Sequence, residues 1–209
     1  MLRHLRNHPK PITPGFLAKL PKLKRQDEMT KAERAKWQFC PIMCTCNATR
    51  QRINEFKAIE YGKAKNLPIL VFYDRLSNIT NPEQLEKLSR MVRLKNPIKH
   101  YFVQGAPAIL TKNVKGCAHR GLVNSARGTM WSMTWNEKDD NDPNVRKWYN
   151  GDMEGGKIYY VPFPHAITVK MDKTKDLYPV VRERTTVSVP ARMASCLRLK
   201  QKIRITTHM

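Results

Sequence analysis

The chain has 209 residues, 39 of them Lys or Arg against 17 Asp or Glu, a formal charge of +22 with a hydrophobic share of 41%. That share is enough for a core, while no apolar run is long enough for a helix to cross a bilayer and no basic amphipathic helix points to a membrane surface. A charge so far from zero destabilises a compact chain by self-repulsion unless a polyanion neutralises it, and nucleic acid is the expected partner.

The opening MLRHLRNHPKPITPGF carries early positive charge but no apolar segment of signal-peptide length, so an intracellular protein is expected. Residues 1–36 are basic and broken by prolines, and read as a connector, with a short helical lead-in over Lys31 to Gln38. Phe39 to Thr45 reads as a short buried strand. Asn47 is the expected N-cap of an amphipathic helix over Arg50 to Ala64, with Ile53, Phe56, Ile59 and Ala64 facing inward. Leu67 to Tyr73 reads as a second buried strand, which makes the segment a βαβ unit with a parallel pair. Asn81-Pro82 opens another helix, ended by Pro97.

Beyond residue 100 the period changes. Phe102 to Leu110, Leu122 to Trp135, Lys157 to Phe163, Ala166 to Met171, Tyr178 to Val181, Thr185 to Val189 and Ile203 to Thr206 are strand candidates separated by turns, as in a barrel or sandwich. The expected division is therefore a connector over 1–36, a partial α/β segment over 37–100 and a β-rich piece over 101–209.

Several patterns resemble sites without their chemistry. Cys40, Cys44 and Cys46 share parity and, with Cys117 or His119, are a conceivable zinc set, but the spacing holds no CxxC pair and burial as small hydrophobes is the expected role. Gly151 to Lys157 has the glycine and lysine spacing of a phosphate-binding loop, yet Ile158 follows where a hydroxyl is needed and Asp152 and Glu154 bring negative charge; a turn between strands is expected. Asp140, Asp142 and Asn144 mimic the start of a calcium loop, with Val145 in place of its glycine and Gly151 in place of its last carboxylate. Trp131, Met133 and Trp135 would share one face of a strand. Core packing is their expected role and base stacking the alternative; the roles of Tyr159 and Tyr160 stay open.

The stretch Gly105 to Thr129, GAPAILTKNVKGCAHRGLVNSARGT, reads as strand, turn, strand with basic and amide side chains crowding the turn. Lys112, Asn113, Arg120, Asn124 and Arg127 there are candidate nucleic-acid contacts, and so is the acid-free run containing Arg198, Lys200 and Lys202. Residues of these types suit phosphate and sugar contact better than base reading.

The runs GAPAILTKNV and RGLVNSARGT resemble a segment of PIF-family and Helitron-type superfamily 1 DNA helicases, with Gly105, Ala106, Pro107, Ile109, Leu110, Lys112, Asn113, Gly121, Leu122, Val123, Asn124 and Gly128 in the matching places. Ser125 stands where that pattern has glycine. The run CPIMCTCNATRQRIN is similar to the start of the family's second RecA-like domain through Asn47, Arg50 and Asn54, and MLRHLRNHPKPIT to the segment between its two RecA-like domains. The resemblance implies a partial RecA-like α/β element followed by a small Src-homology-type β-barrel that grips single-stranded DNA. Arg50 would face either the nucleotide cleft or the DNA. It further implies a first RecA-like domain as partner, ATP and magnesium as cofactors of the parent enzyme only, no ATPase activity from this chain by itself, and a nuclear location. The alternative is a non-catalytic basic RNA- or DNA-binding module of ribosomal or packaging type.

Overall fold

A computed structural model describes residues 27–40, 42, 44, 46–76, 81, 83–86, 98–114, 116–188 and 202–208. The chain divides into two compact units, Met1–Cys40 and Pro41–Met209. In the first, helix α1 (Lys31–Trp37) starts at a capping box: Thr30 Oγ1 accepts from the Glu33 amide, and the Glu33 carboxylate accepts from the Thr30 amide.

The second unit opens with α2 (Asn47–Lys65), longer at its start than the sequence suggests. Its N-cap is Cys46 rather than Asn47, with the thiol accepting from the Thr49 amide at 3.4 Å. Asn66, in the left-handed region at φ 52°, ends it. The inward side chains are Ala58, Ile59 and Tyr61, whereas Phe56 and Ala64 are exposed. Ile69 passes so close to Gly62 that a Cβ there would lie 2.3 Å from Ile69 Cγ1, which sets the packed face one step beyond the periodicity reading.

Strand β1 (Ile69–Tyr73) is an unbroken aliphatic and aromatic run, the pattern of a strand buried on both faces. Ile69 and Val71 pack on α2, while Leu70 and Phe72 enter the main core. The expected βαβ unit is not what forms: Phe39, Cys40, Ile42 and Cys44 are not in a strand. Instead β1 is central in a three-stranded sheet, antiparallel to β3 (Lys99–Phe102) and parallel to β6 (Ile158–Tyr160). The parallel partner thus comes from far along the chain, which local pattern cannot reveal. Residues 83–86 are helical, with Asn81 Oδ1 accepting from the Glu83 amide, as the Asn-Pro step predicts; Pro97 and the rest of the expected helix lie outside the described residues.

The remaining strands are β2 (Arg75–Leu76), β4 (Pro107–Ile109), β5 (Arg127–Thr134), β7 (Ala166–Met171), β8 (Leu177–Ser188) and β9 (Lys202–His208). They form a six-stranded sheet in the order β2-β9-β8-β7-β5-β4, antiparallel throughout. Among the described residues this sheet is open: the fold is mixed α/β, and the expected small barrel is not seen in it. Its edges, β2 and β4, are two and three residues long, and β4 begins with Pro107, both devices that blunt an edge. The two strand candidates around Tyr178 and Thr185 are one continuous strand, β8.

Helix α3 (Pro143–Asn150) is the element that the sequence reading lacks. Asp142 caps it by accepting from the Asn144 and Val145 amides at 2.8 and 3.2 Å, Pro143 occupies the first helical position and Gly151 closes it at φ 77°. The acidic residues that mimic a calcium loop are therefore a helix cap and its lead-in. Leu70, Phe72, Phe102, Met133, Trp135, Val145, Phe163 and Ile167 form one core joining both sheets and α3.

Candidate nucleic-acid interface

The hairpin joining β4 to β5 carries a long loop folded back on itself. Leu110 and Ala126 are tied by a 2.9 Å hydrogen bond from the Leu110 amide, Val114 donates to the Leu122 carbonyl at 3.0 Å, and Ala118–Arg120 form one 3-10 turn. Asn113 Oδ1 accepts from the Asn124 amide at 2.7 Å, closing the loop across its neck. Beneath it, Leu122, Val114 and Cys117 pack on Val169, Met171 and Val180. The loop is anchored by its apolar side and turns its polar side to water.

Lys112, Asn113, Arg120, Asn124 and Arg127 are all exposed on this loop and the first residue of β5. Arg120 sits 3.5 Å from Asp176, an exposed ion pair with the β7–β8 turn that contributes little to stability. The same turn adds Lys173 and Lys175, which the sequence reading did not single out, along with the acids Asp172 and Asp176. The Asp172 amide donates to the Arg127 carbonyl at 3.0 Å, so turn and hairpin lie side by side. Both amides and cations are present, the donor set for sugar-phosphate contact.

Two glycines of the motif have structural roles. A Cβ on Gly128 would lie 2.6 Å from Val169 Cγ1 and 2.7 Å from the Lys170 carbonyl oxygen, so the position is closed by packing against β7. Gly121 takes a left-handed φ of 75°. Ser125 is left-handed too, at φ 70°, with its amide donating to the Leu110 carbonyl. A Cβ in that region costs about 1–2 kcal/mol. Ser125→Gly is therefore expected to raise unfolding stability by about 1 kcal/mol in urea titration.

Asn47, Arg50 and Asn54 lie at i, i+3 and i+7 on α2, Asn47 as its first residue, Arg50 half-buried and Asn54 exposed. That helix packs on β1 and β3, whereas the hairpin loop packs on β7 and β8. The two candidate sets therefore belong to different parts of the unit. Arg198 and Lys200 lie outside the described residues, and Lys202 begins β9.

A pair built on a buried carboxylate escaped the sequence reading. Asp74, at the end of β1, is 2% exposed and its Oδ1 lies 2.8 Å from His100 Nε2, while Oδ2 is buried without a hydrogen-bond partner. Burial pushes the Asp74 carboxyl above its usual range, with the His100 contact opposing. The His100 ring stacks on Phe72 at 5.2 Å. Nearby, Lys99 Nζ stands 3.2 Å from Glu86 and over the rings of Tyr73, Tyr101 and Tyr160 at 5.7–6.0 Å. These groups close the end of the three-stranded sheet. Among the described residues no three His, Cys, Asp or Glu side chains converge to hold a metal.

The loop between α3 and β6 does not fit a nucleotide. Gly151 is the cap of α3, Lys157 is turned to Glu154 of its own loop at 2.5 Å, and the chain continues into strand β6 rather than a helix. The turn thus joins a helix to a strand, not two strands.

Trp131 and its neighbours part company. Met133 and Trp135 are buried, the Trp135 Nε1 donating to the Pro162 carbonyl at 2.9 Å, but Trp131 is 41% exposed. The register of β5 against β7 jumps between Met130 and Ser132, so Trp131 is the extra residue of a bulge and escapes the parity that would bury it.

No protein-family model matches the sequence, and no curated protein matches it. Among solved structures the chain is similar to the Pif1 helicase from Candida albicans, with 12% identity and a TM-score of 0.36 over 86% of this chain and 38% of that one. It is also similar to the Pif1 helicase from Bacteroides in complex with ADP-AlF3 and ssDNA, with 12% identity and a TM-score of 0.35 over 87% of this chain and 34% of that one. The chain spans well under half the length of either protein.

Proposed function

We propose that this chain binds the backbone of single-stranded DNA without sequence preference, as the DNA-gripping portion of a PIF/Helitron-type helicase. The observation that carries the binding is the exposure of Lys112, Asn113, Arg120 and Asn124 on one internally braced loop, with Arg127 exposed where that loop enters β5, in a chain with a charge of +22. A braced loop presents its donors without further backbone ordering, and each neutralised phosphate releases counterions. The helicase assignment is the finer part of the reading and rests on the motif resemblance at Gly105 to Gly128 and at Asn47, Arg50 and Asn54. In that reading ATP and magnesium are held by a first RecA-like domain, hydrolysis needs groups from both motor domains, and the chain alone turns over no ATP. The nucleus is the corresponding compartment.

The test is a salt titration of oligo(dT) binding. Lys112→Ala combined with Arg127→Ala is expected to weaken binding on every sequence alike and to reduce the slope of log affinity against log salt by about 1.4, two phosphates' worth for a single strand. An unchanged slope removes these residues from the interface. Absence of binding by the unaltered chain at low salt removes the proposal.

A further inference from the structure

The outer face of the six-stranded sheet combines exposed aromatic, aliphatic and cationic side chains. Val169, Met171 and Val180 turn inward to the hairpin's apolar side. The alternate positions turn outward, and there Arg127, Thr129 and Trp131 follow one another along β5, with Lys170 of β7 opposite Thr129. Lys170 Nζ stands 4.7 Å from the centre of the Trp131 ring. Even with this ammonium over its ring, Trp131 remains 41% exposed. Arg127 and Trp131 are four residues apart, about 13 Å along an extended strand.

We propose that Trp131, with Lys170 beside it, is a stacking platform for one unpaired base of a single-stranded nucleic acid running across this face. The inference rests on the function proposed above and adds a contact of a different chemical kind, a base rather than a phosphate. A large aromatic ring offered to water by a bulge is available for stacking, and any base has a π-face to lay on it. A paired base inside a duplex has none to offer, so the contact selects single strands. The cations decide the class of partner. An apolar protein surface laid on Trp131 would strip water from Lys170 and Arg127 without repaying it, whereas a polyanion pairs with both while its bases cover the indole.

The experiment compares the full chain and its variants on fluorescently labelled oligo(dT), on an abasic sugar-phosphate strand of equal length and on a duplex. Trp131→Ala is expected to weaken oligo(dT) binding about tenfold and to leave abasic and duplex binding unchanged. Trp131→Phe should restore most of the loss, because a ring is retained. Lys112→Ala with Arg127→Ala, by contrast, should weaken all three, so backbone and base contacts separate in one data set. The platform is overturned if Trp131→Ala binds oligo(dT) as the parent does, or loses equally on abasic strands. It is also overturned if the variant's only change is the loss of a concentration-dependent self-association, which would give this face to a second copy of the chain. A loss confined to Trp131→Ala, with the Lys112/Arg127 variant unaffected, keeps the platform and rejects the loop as the backbone site. If the parent chain binds no strand of any kind, both readings fall.

Discussion

Replacing Phe102 with alanine is expected to lower unfolding stability by about 3–5 kcal/mol, the cost of removing a fully buried ring from a core that cannot collapse around the gap. Phe102 ends β3 opposite Leu70 of β1 and its ring meets Trp148 of α3 edge-on, centroids 5.8 Å apart. The same cluster holds Met133 and Ile167 from the six-stranded sheet. A cavity at Phe102 is therefore walled by two sheets and a helix whose backbones are fixed by their own ladders, so relaxation is limited and the loss should sit in the upper part of the range. Urea titration measures it, and the cluster shared by both sheets makes a further demand: the transition stays cooperative, with both sheets lost together. Two separated transitions would mean that the sheets fold on separate cores. Phe56→Ala is the control, since Phe56 is exposed on α2 and its removal should fall within about 0.5 kcal/mol of neutral.

What the sequence discloses about this fold depends on how local the cause is. Ile167 to Met171 is readable because its alternation is set by a sheet whose two faces differ in burial. The double burial of Ile69 to Tyr73 is equally plain as an unbroken apolar run. Which strands flank it is not, because β6 arrives from residues 158–160 and no period in the intervening chain encodes that pairing. α3 is legible in principle: Asp, Pro and a closing Gly stand at the cap positions, but the acidic cluster around Asp142 reads as a solvated turn when taken by residue type. At the candidate interface, the chemistry of Lys112, Asn113, Asn124 and Arg127 was legible from residue type, and their exposure followed from the turn. Trp131 was not, since one bulge reverses what strand parity says about it. The expected barrel is not seen among the described residues for a related reason: strand count and spacing fix a β-rich layout but not whether the last strand meets the first.

Gly155→Ala is expected to cost about 3 kcal/mol, the upper part of the usual range for overpacking, because the obstacle is backbone and not a movable side chain. A Cβ at Gly155 would lie 2.0 Å from the Asn66 carbonyl oxygen and 2.4 Å from its carbon. Asn66 cannot retreat: it is the left-handed cap of α2, and the next residue, Leu67, donates to the Gly62 carbonyl and accepts from the Gly156 amide at 2.8 and 2.9 Å. This clasp between the α2–β1 turn and the 154–157 loop delivers β6 to the parallel side of β1, where Ile69 donates to the Lys157 carbonyl and Val161 to the Val71 carbonyl, both at 2.9 Å. The strain should therefore appear first as lost hydrogen-exchange protection at the Ile69 and Val161 amides, ahead of global unfolding. Gly151→Ala separates this from conformational cost alone, because a Cβ there meets nothing within 4 Å and only the positive φ of 77° is penalised, at about 1 kcal/mol. If the segment were instead a phosphate loop, the two glycines would matter through nucleotide affinity. The clasp predicts that Gly155→Ala changes stability while oligo(dT) affinity, which the proposed interface assigns to the hairpin and the other sheet, holds wherever the chain remains folded. Equal stability losses at Gly151 and Gly155 would reject the steric account of the clasp.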